Sequence, residues 1–178
     1  MKKIHFNNAG SSLTRNNVIT SINKYLILEK EIGGYEAQEE KKKLLSSFYV
    51  NVSKLINCLH SEISFLTNST LAWNLAFNSI PLFKTDDIII AENEYSSNYL
   101  SILKRRNLFN KLKIIKINRN GMIDLKDLIS KVDSNTKILS INHIASQCGT
   151  VLPIERIGKI LKNINKNAFY IVDACQSI

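Results

Sequence analysis

The sequence has few of the residues that interrupt regular structure or cross-link a chain. Only two prolines and six glycines occur among its 178 residues, which excludes Pro/Gly-rich linkers and low-complexity stalks. The three cysteines, Cys58, Cys148 and Cys175, are odd in number and widely spaced, as expected for reduced thiols rather than a disulfide framework. No apolar run is long enough to cross a bilayer, and Asn7 and Asn8 interrupt the amino terminus before a signal peptide could form. We therefore expect a cytoplasmic protein without a membrane partner.

What is present is a hydrophobic content of 44%, enough to bury one sizeable core, and a formal net charge of +9. Basic clusters can bind nucleic acid, but residues 41–43 follow three glutamates in a helical pattern and are interpreted as a solvated helix face. The second cluster, residues 104–106, has no interleaved aromatic residues that could stack on bases. We therefore expect no nucleic-acid partner. Cys58 and His60 lack paired ligand spacing, so no metal site is expected either.

Short runs rich in isoleucine and valine alternate with longer helical segments, which predicts an α/β protein with a mostly parallel sheet and covering helices. The predicted strands are Glu62–Leu66, Asp87–Ala91, Lys113–Ile117, Lys137–Asn142 and Phe169–Asp173. The predicted helices are Thr70–Leu82, Ser97–Phe109, Leu125–Val132 and Ile154–Asn163, preceded by a helical entry segment over about residues 1–57. Because the last strand has no helix after it to cover the sheet, we expect the domain to be incomplete.

Ligands of open α/β sheets bind beyond the carboxyl ends of the strands, and polar residues follow several predicted strands here. Thr67–Thr70 leads into a helix and could receive a phosphate, or could simply cap that helix. Tyr95 could stack on a flat ring or be packed, and His143 could be an acid, a base or a structural histidine. Asp173 closes an apolar strand and needs a partner, either a helix start that it caps or a protonated cofactor ring.

In this order, the motifs resemble those of the class V aminotransferase family, which includes cysteine desulfurases, selenocysteine lyases and relatives of isopenicillin-N epimerase. The segments that carry the resemblance are Asn7–Gly10, Gly33–Ala37, Ser69–Asn74, Glu94–Asn98, Gly149–Pro153 and Asp173–Gln176. Each motif is loose, but six in the right order are specific. The resemblance implies that residues 1–178 form the amino-terminal part of the large domain of a fold type I transferase. It also implies a pyridoxal 5′-phosphate (PLP) cofactor, an amino-acid substrate and a homodimer in the complete protein.

The resemblance implies a role for eight residues. They are Ser69 and Thr70 at the cofactor phosphate, Tyr95 over the ring, Ser146 and Gln176 near the ring hydroxyl, Asp173 at the ring nitrogen, His143 as a catalytic acid or base, and Asn8 at the substrate.

Two departures from the family pattern limit what the resemblance implies about the reaction. Tyr95 stands where cysteine desulfurases carry a histidine, so the reaction within the family stays open. The family's Schiff-base lysine follows the Asp173 strand, and none of the three histidines here is followed by lysine. We therefore expect a fragment of a PLP-dependent enzyme that is inactive alone. The alternatives are a noncatalytic or split-protein module that needs a partner chain, and a nicotinamide-dependent oxidoreductase, whose Gly-x-Gly-x-x-Gly turn is absent.

Overall fold

The computed structural model describes residues 4–178. The chain divides into two compact units, the first ending at Phe65 and the second comprising Leu66–Ile178. The first unit contains helices α1 (Asn16–Ile32), α2 (Gly34–Glu40) and α3 (Lys42–Ile56). Gly33, whose φ of +95° suits a residue without a Cβ, separates the first two helices. A helical entry segment is thus present, and its assignment to the large domain of a transferase stays a prediction.

The predicted strand Glu62–Leu66 is wrong. Glu62 ends a single 3₁₀ turn, His60–Glu62, in which the Glu62 carboxylate accepts a hydrogen bond of 2.8 Å from the Leu59 N–H. Residues 63–66 pair with no strand in the part of the chain that the structure describes. An apolar run becomes a strand only when its backbone finds a hydrogen-bonding neighbour, which the run alone cannot reveal.

The second unit contains a four-stranded sheet, and its α/β class confirms the prediction. Its strands are β1 (Asp87–Ala91), β2 (Lys111–Ile115), β3 (Thr136–Asn142) and β4 (Phe169–Asp173), in the order β2-β1-β3-β4 with every pair parallel. The helices are α4 (Ser69–Asn78), α5 (Ser96–Lys104), α6 (Leu125–Lys131) and α7 (Ile154–Ile164). β1 and β4 coincide with predicted strands, whereas β2 begins two residues earlier than predicted.

Alternate residues of the strands enter two separate hydrophobic clusters, one on each face of the sheet. Ile89 and Leu139 pack in the cluster that includes Leu128 of α6 and Leu161 of α7. The neighbouring residue Ile88 packs on the opposite face, in the cluster that includes Phe77 of α4 and Ile102 of α5. The period of two residues along a strand therefore distributes a continuous apolar run between both helical layers.

This topology gathers the carboxyl ends of all four strands at one edge of the sheet. In the pairing of β3 with β4, Asn142 lies opposite Asp173, so the residues after these two strands begin side by side. Among residues 4–178, no helix has the length and hydropathy required to cross a membrane.

Candidate active site

Asp173 stands at the carboxyl end of β4, with both carboxylate oxygens accepting hydrogen bonds. Its Oδ2 accepts from Nδ2 of Asn98 at 3.0 Å, and its Oδ1 accepts from the Cys175 N–H at 3.1 Å. The residues after Asp173 form a turn rather than a helix, so Asp173 caps no helix in the described chain. β4 is an edge strand, and its first residue, Phe169, is 45% exposed.

Asn98 lies on α5 and is only 1% exposed. Its side-chain amide donates to Oε1 of Glu94 at 3.1 Å as well as to Asp173. Glu94 also accepts from the Tyr95 N–H at 2.8 Å and from the Ser140 hydroxyl at 2.9 Å. Burial raises the pKa of the Glu94 carboxyl, and the nearby charge of Asp173 adds to this, against the lowering effect of the hydrogen bonds. Two carboxylates, one in the segment after β1 and one at the end of β4, thus share one buried amide.

The start of α4 is held near the same amide. Oδ1 of Asn68 accepts the Leu71 N–H at 2.8 Å and so caps the helix, which leaves the hydroxyls of Ser69 and Thr70 outside the capping role. Oγ1 of Thr70 lies 3.4 Å from Oγ of Ser97, and Ser97 in turn lies 3.5 Å from the Asn98 amide oxygen. Only two side chains therefore separate Thr70 from Asp173.

Comparison with known proteins gives the family. The model of the family "Aminotransferase class-V" matches residues 4–178. The chain belongs to the class V aminotransferases. Probable cysteine desulfurases of Methanothermobacter thermautotrophicus and Borreliella burgdorferi are 29% and 32% identical to it, over 82% and 97% of the chain. The chain spans only 36% and 43% of these two proteins.

Solved structures agree with this assignment at the level of the fold. A structure of a C-DES variant with glycine covalently linked to its PLP cofactor superposes with a TM-score of 0.87 at 15% identity, over 99% of this chain and 48% of that chain. The apo structure of cysteine desulfurase from Thermococcus onnurineus gives a TM-score of 0.79 at 24% identity, over 94% of this chain and 42% of that one. PLP is the cofactor of the class V aminotransferase relatives.

The residues at this edge suit the chemistry of that cofactor. A phosphate needs donors such as the hydroxyls of Ser69 and Thr70 and the first N–H groups of α4, which have no partner inside the helix. A protonated pyridine nitrogen needs a carboxylate such as Asp173. The aromatic ring needs an exposed flat partner, and Tyr95, which precedes α5, is 41% exposed rather than packed in the core. All three groups belong to the second unit.

The other predicted residues of this class V aminotransferase are less closely connected. The backbone N–H of His143 donates to the Asp173 carbonyl at 2.8 Å, which places His143 beside Asp173 at the end of β3. Gln176 is half-buried in the turn after Asp173. Ser146 is exposed in the loop between β3 and α7, and Asn8 is exposed in a turn of the first unit. Their roles at the ring hydroxyl and the substrate stay predictions.

Two features of this edge escaped the sequence reasoning. Asn98 and Glu94 were noted as part of the family motif, but not as partners of Asp173, although their four-residue spacing is that of neighbours on a helix. The second feature is Asn93, whose side-chain Nδ2 and Oδ1 are buried without a hydrogen-bond partner among the described residues. Asn93 lines a cleft of about 420 Å³ together with Glu94 and Gln147. This edge therefore retains unused capacity for polar contacts.

Proposed function

We propose that this protein is a PLP-dependent enzyme acting on an amino acid and that the carboxyl edge of its sheet holds the cofactor. The observation that carries the proposal is the chain of contacts from Thr70 through Ser97 and Asn98 to Asp173. It brings the start of α4 and the Asp173 carboxylate to one place, as the phosphate and the ring nitrogen of a single pyridoxal molecule would require. When bound, the cofactor supplies an electron sink for the negative charge that develops on the substrate.

The chain's own residues then have separate tasks. Asp173 holds the proton on the ring nitrogen, which keeps the ring positively charged. Ser69 and Thr70 would anchor the phosphate, and Tyr95 would stack on the ring. His143, whose backbone lies beside that of Asp173, would exchange a proton with substrate or water.

Ser146 and Gln176 would contact the ring hydroxyl in this proposal. The cysteine desulfurases among the relatives favour cysteine as the amino acid. The rates at which the full-length protein consumes cysteine, alanine and serine, measured in parallel by amino-acid analysis, test that choice. Turnover of another amino acid in preference to cysteine would overturn it while leaving the cofactor site in place.

The replacement Asp173→Asn tests the cofactor site directly. It keeps the size of the side chain but removes the charge that faces the ring nitrogen. A hydrogen bond to a charged group contributes about 1.5–3 kcal/mol, so PLP should bind roughly 10- to 150-fold more weakly. Fluorescence titration of the full-length protein with PLP measures the dissociation constant.

Asp124→Asn is the matched control, because it neutralises a carboxylate that caps α6, where asparagine caps equally well. Equal PLP affinity of wild type and Asp173→Asn would contradict the proposed site. A folded protein that binds no PLP would favour the alternative of a noncatalytic or split module that needs a partner chain.

A further inference from the structure

The Asn98 amide has an unusual set of partners for a buried side chain. Both N–H bonds of Nδ2 point at carboxylates, one on Glu94 at 3.1 Å and one on Asp173 at 3.0 Å. An amide nitrogen has two donors, so this pair of contacts uses all of its donor capacity. With Asn98 only 1% exposed, water does not compete for either bond. The amide therefore connects the segment after β1 to the end of β4, across the end of β3.

The orientation of this amide depends on Glu94. The two ends of an asparagine amide have nearly the same shape, so the surrounding hydrogen bonds decide which end faces which neighbour. An ionised Glu94 carboxylate can accept hydrogen bonds but cannot donate them. The NH₂ end of the Asn98 amide, not its oxygen, must therefore face Oε1 of Glu94. Glu94 is itself held by the Tyr95 N–H and the Ser140 hydroxyl.

We propose that Asn98, oriented by Glu94, is a positioning residue that fixes the Asp173 carboxylate in the direction required to meet the cofactor's ring nitrogen. The inference rests on the proposed function, because it assigns Asp173 to that nitrogen. Asp173 ends an edge strand, and it also accepts a hydrogen bond from the Cys175 N–H in the adjoining turn. The bond from Asn98 ties the carboxylate to helix α5.

The test compares PLP with 1-deaza-PLP, an analogue in which a C–H group replaces the ring nitrogen. Both ligands carry the same phosphate, hydroxyl and aldehyde, so only the contribution of the nitrogen differs. The ratio of their dissociation constants therefore reports whether Asp173 meets the nitrogen. In the full-length wild-type protein we expect PLP to bind at least about tenfold more tightly, a difference of roughly 1.4 kcal/mol.

Asn98→Leu keeps the branched shape and the number of heavy atoms of the side chain, and it removes both donors. We expect it to reduce the ratio to nearly one, because Asp173 no longer faces the nitrogen, while 1-deaza-PLP binds as before. Ser101→Ala is the matched control: it removes hydrogen bonds to Asn74 and to the Ser97 carbonyl on the same helix without touching Asp173, and it should leave the ratio unchanged.

Each outcome is decisive. A ratio near one in the wild type would refute the role of Asp173 and with it the inference. If PLP binds at least about tenfold more tightly than 1-deaza-PLP in both the wild type and Asn98→Leu, the positioning role of Asn98 alone is refuted. Equal weakening of both ligands by Asn98→Leu would refute it as well. If Asn98→Leu does not fold by circular dichroism, a pair of Glu94 variants decides. Glu94→Gln retains an acceptor for Asn98 and should keep the ratio, whereas Glu94→Met should lose it; equal ratios in the two would overturn the inference.

Discussion

Lys113 offers the most informative test of stability, because two carboxylates share its charge. Its ammonium group lies 2.8 Å from Oδ2 of Asp87 and 2.6 Å from Oδ2 of Asp133, at the end of the sheet opposite the candidate active site. It also donates to the Lys131 carbonyl at 2.9 Å. Asp87 is the first residue of β1 and its side chain is 3% exposed, so the pairing of β1 with β2 contains a buried charge. Lys113→Met removes the positive charge while keeping most of the apolar stem.

Removing one partner of a buried ion pair usually costs about 3–5 kcal/mol. Here Asp87 keeps two donors, the Asn110 side chain and the Lys111 N–H, each at 3.0 Å. The contact with Asp133 is half-exposed and adds little, as surface ion pairs do. We therefore expect Lys113→Met to lower the free energy of unfolding by about 2–4 kcal/mol at neutral pH. Asp133→Asn, the matched control, should cost less than about 1 kcal/mol.

The pH dependence of the free energy of unfolding independently checks that the charges of Lys113 and Asp133 stabilise the fold. Burial disfavours the ammonium, but the hydrogen bonds and charges of Asp133 and Asp87 outweigh it and raise the pKa of Lys113. The stability that Lys113 contributes is thus complete below its ordinary pKa of about 10.4 and is lost as pH rises through the folded value. Burial likewise opposes the charge of Asp133, but Lys113 lowers the pKa of that carboxyl, so its contribution is lost as pH falls below about 3.9.

Urea unfolding of the full-length protein between pH 3 and pH 11 measures these differences. The wild type should exceed Lys113→Met by a constant amount over the middle of this range and by less at both extremes. The double variant Asp87→Asn/Lys113→Met should be more stable than Lys113→Met, since it no longer buries an unpaired carboxylate. A loss below about 1 kcal/mol in Lys113→Met, or strict additivity of the two single changes, would refute the reasoning.

Two further predictions concern the sheet edge and helix α7. Because burial and the Asp173 charge raise the pKa of Glu94, wild-type stability should fall as pH rises from its ordinary value of 4.5 through the folded value. Glu94→Gln should therefore gain stability relative to wild type between pH 4 and pH 7 in urea unfolding; a constant difference would contradict this. Gly158→Ala places a Cβ 2.9 Å from the Tyr170 ring, so we expect a net loss of about 1 kcal/mol despite better helix propensity, and a raised melting temperature would contradict it.

Much of the fold could be predicted because its signals are local. Asp87–Ala91 and Phe169–Asp173 are short apolar runs bounded by polar residues, and both are strands at the predicted bounds. The turn at residues 118–121 contains Gly121 with a φ of +76°, and asparagine and glycine are typical turn residues. Glu62–Leu66 has a similar apolar content, but no neighbouring strand pairs with it in the described chain. Pairing is a long-range property, so composition alone could not separate this segment from the true strands.

The candidate site also has features that the sequence predicts and features that it does not. Asp173 could be singled out from the sequence because a carboxylate at the end of an apolar strand demands a partner. The identity of that partner within the protein could not be predicted, because Asn98 is 75 positions away and reaches Asp173 only over the end of another strand. The half-exposed edge position of β4 was equally invisible, since the same apolar residues would suit a central strand.

The sequence by itself determined the alternation of strands and helices, the polar residues at the strand ends and the family motifs, all of which depend on residues within a few positions of one another. Only the tertiary structure decided the strand order β2-β1-β3-β4, and with it the meeting of Glu94, Asn98 and Asp173. The physical reason is that hydrogen bonds between strands and between buried side chains join distant segments, and their geometry depends on how the whole sheet assembles.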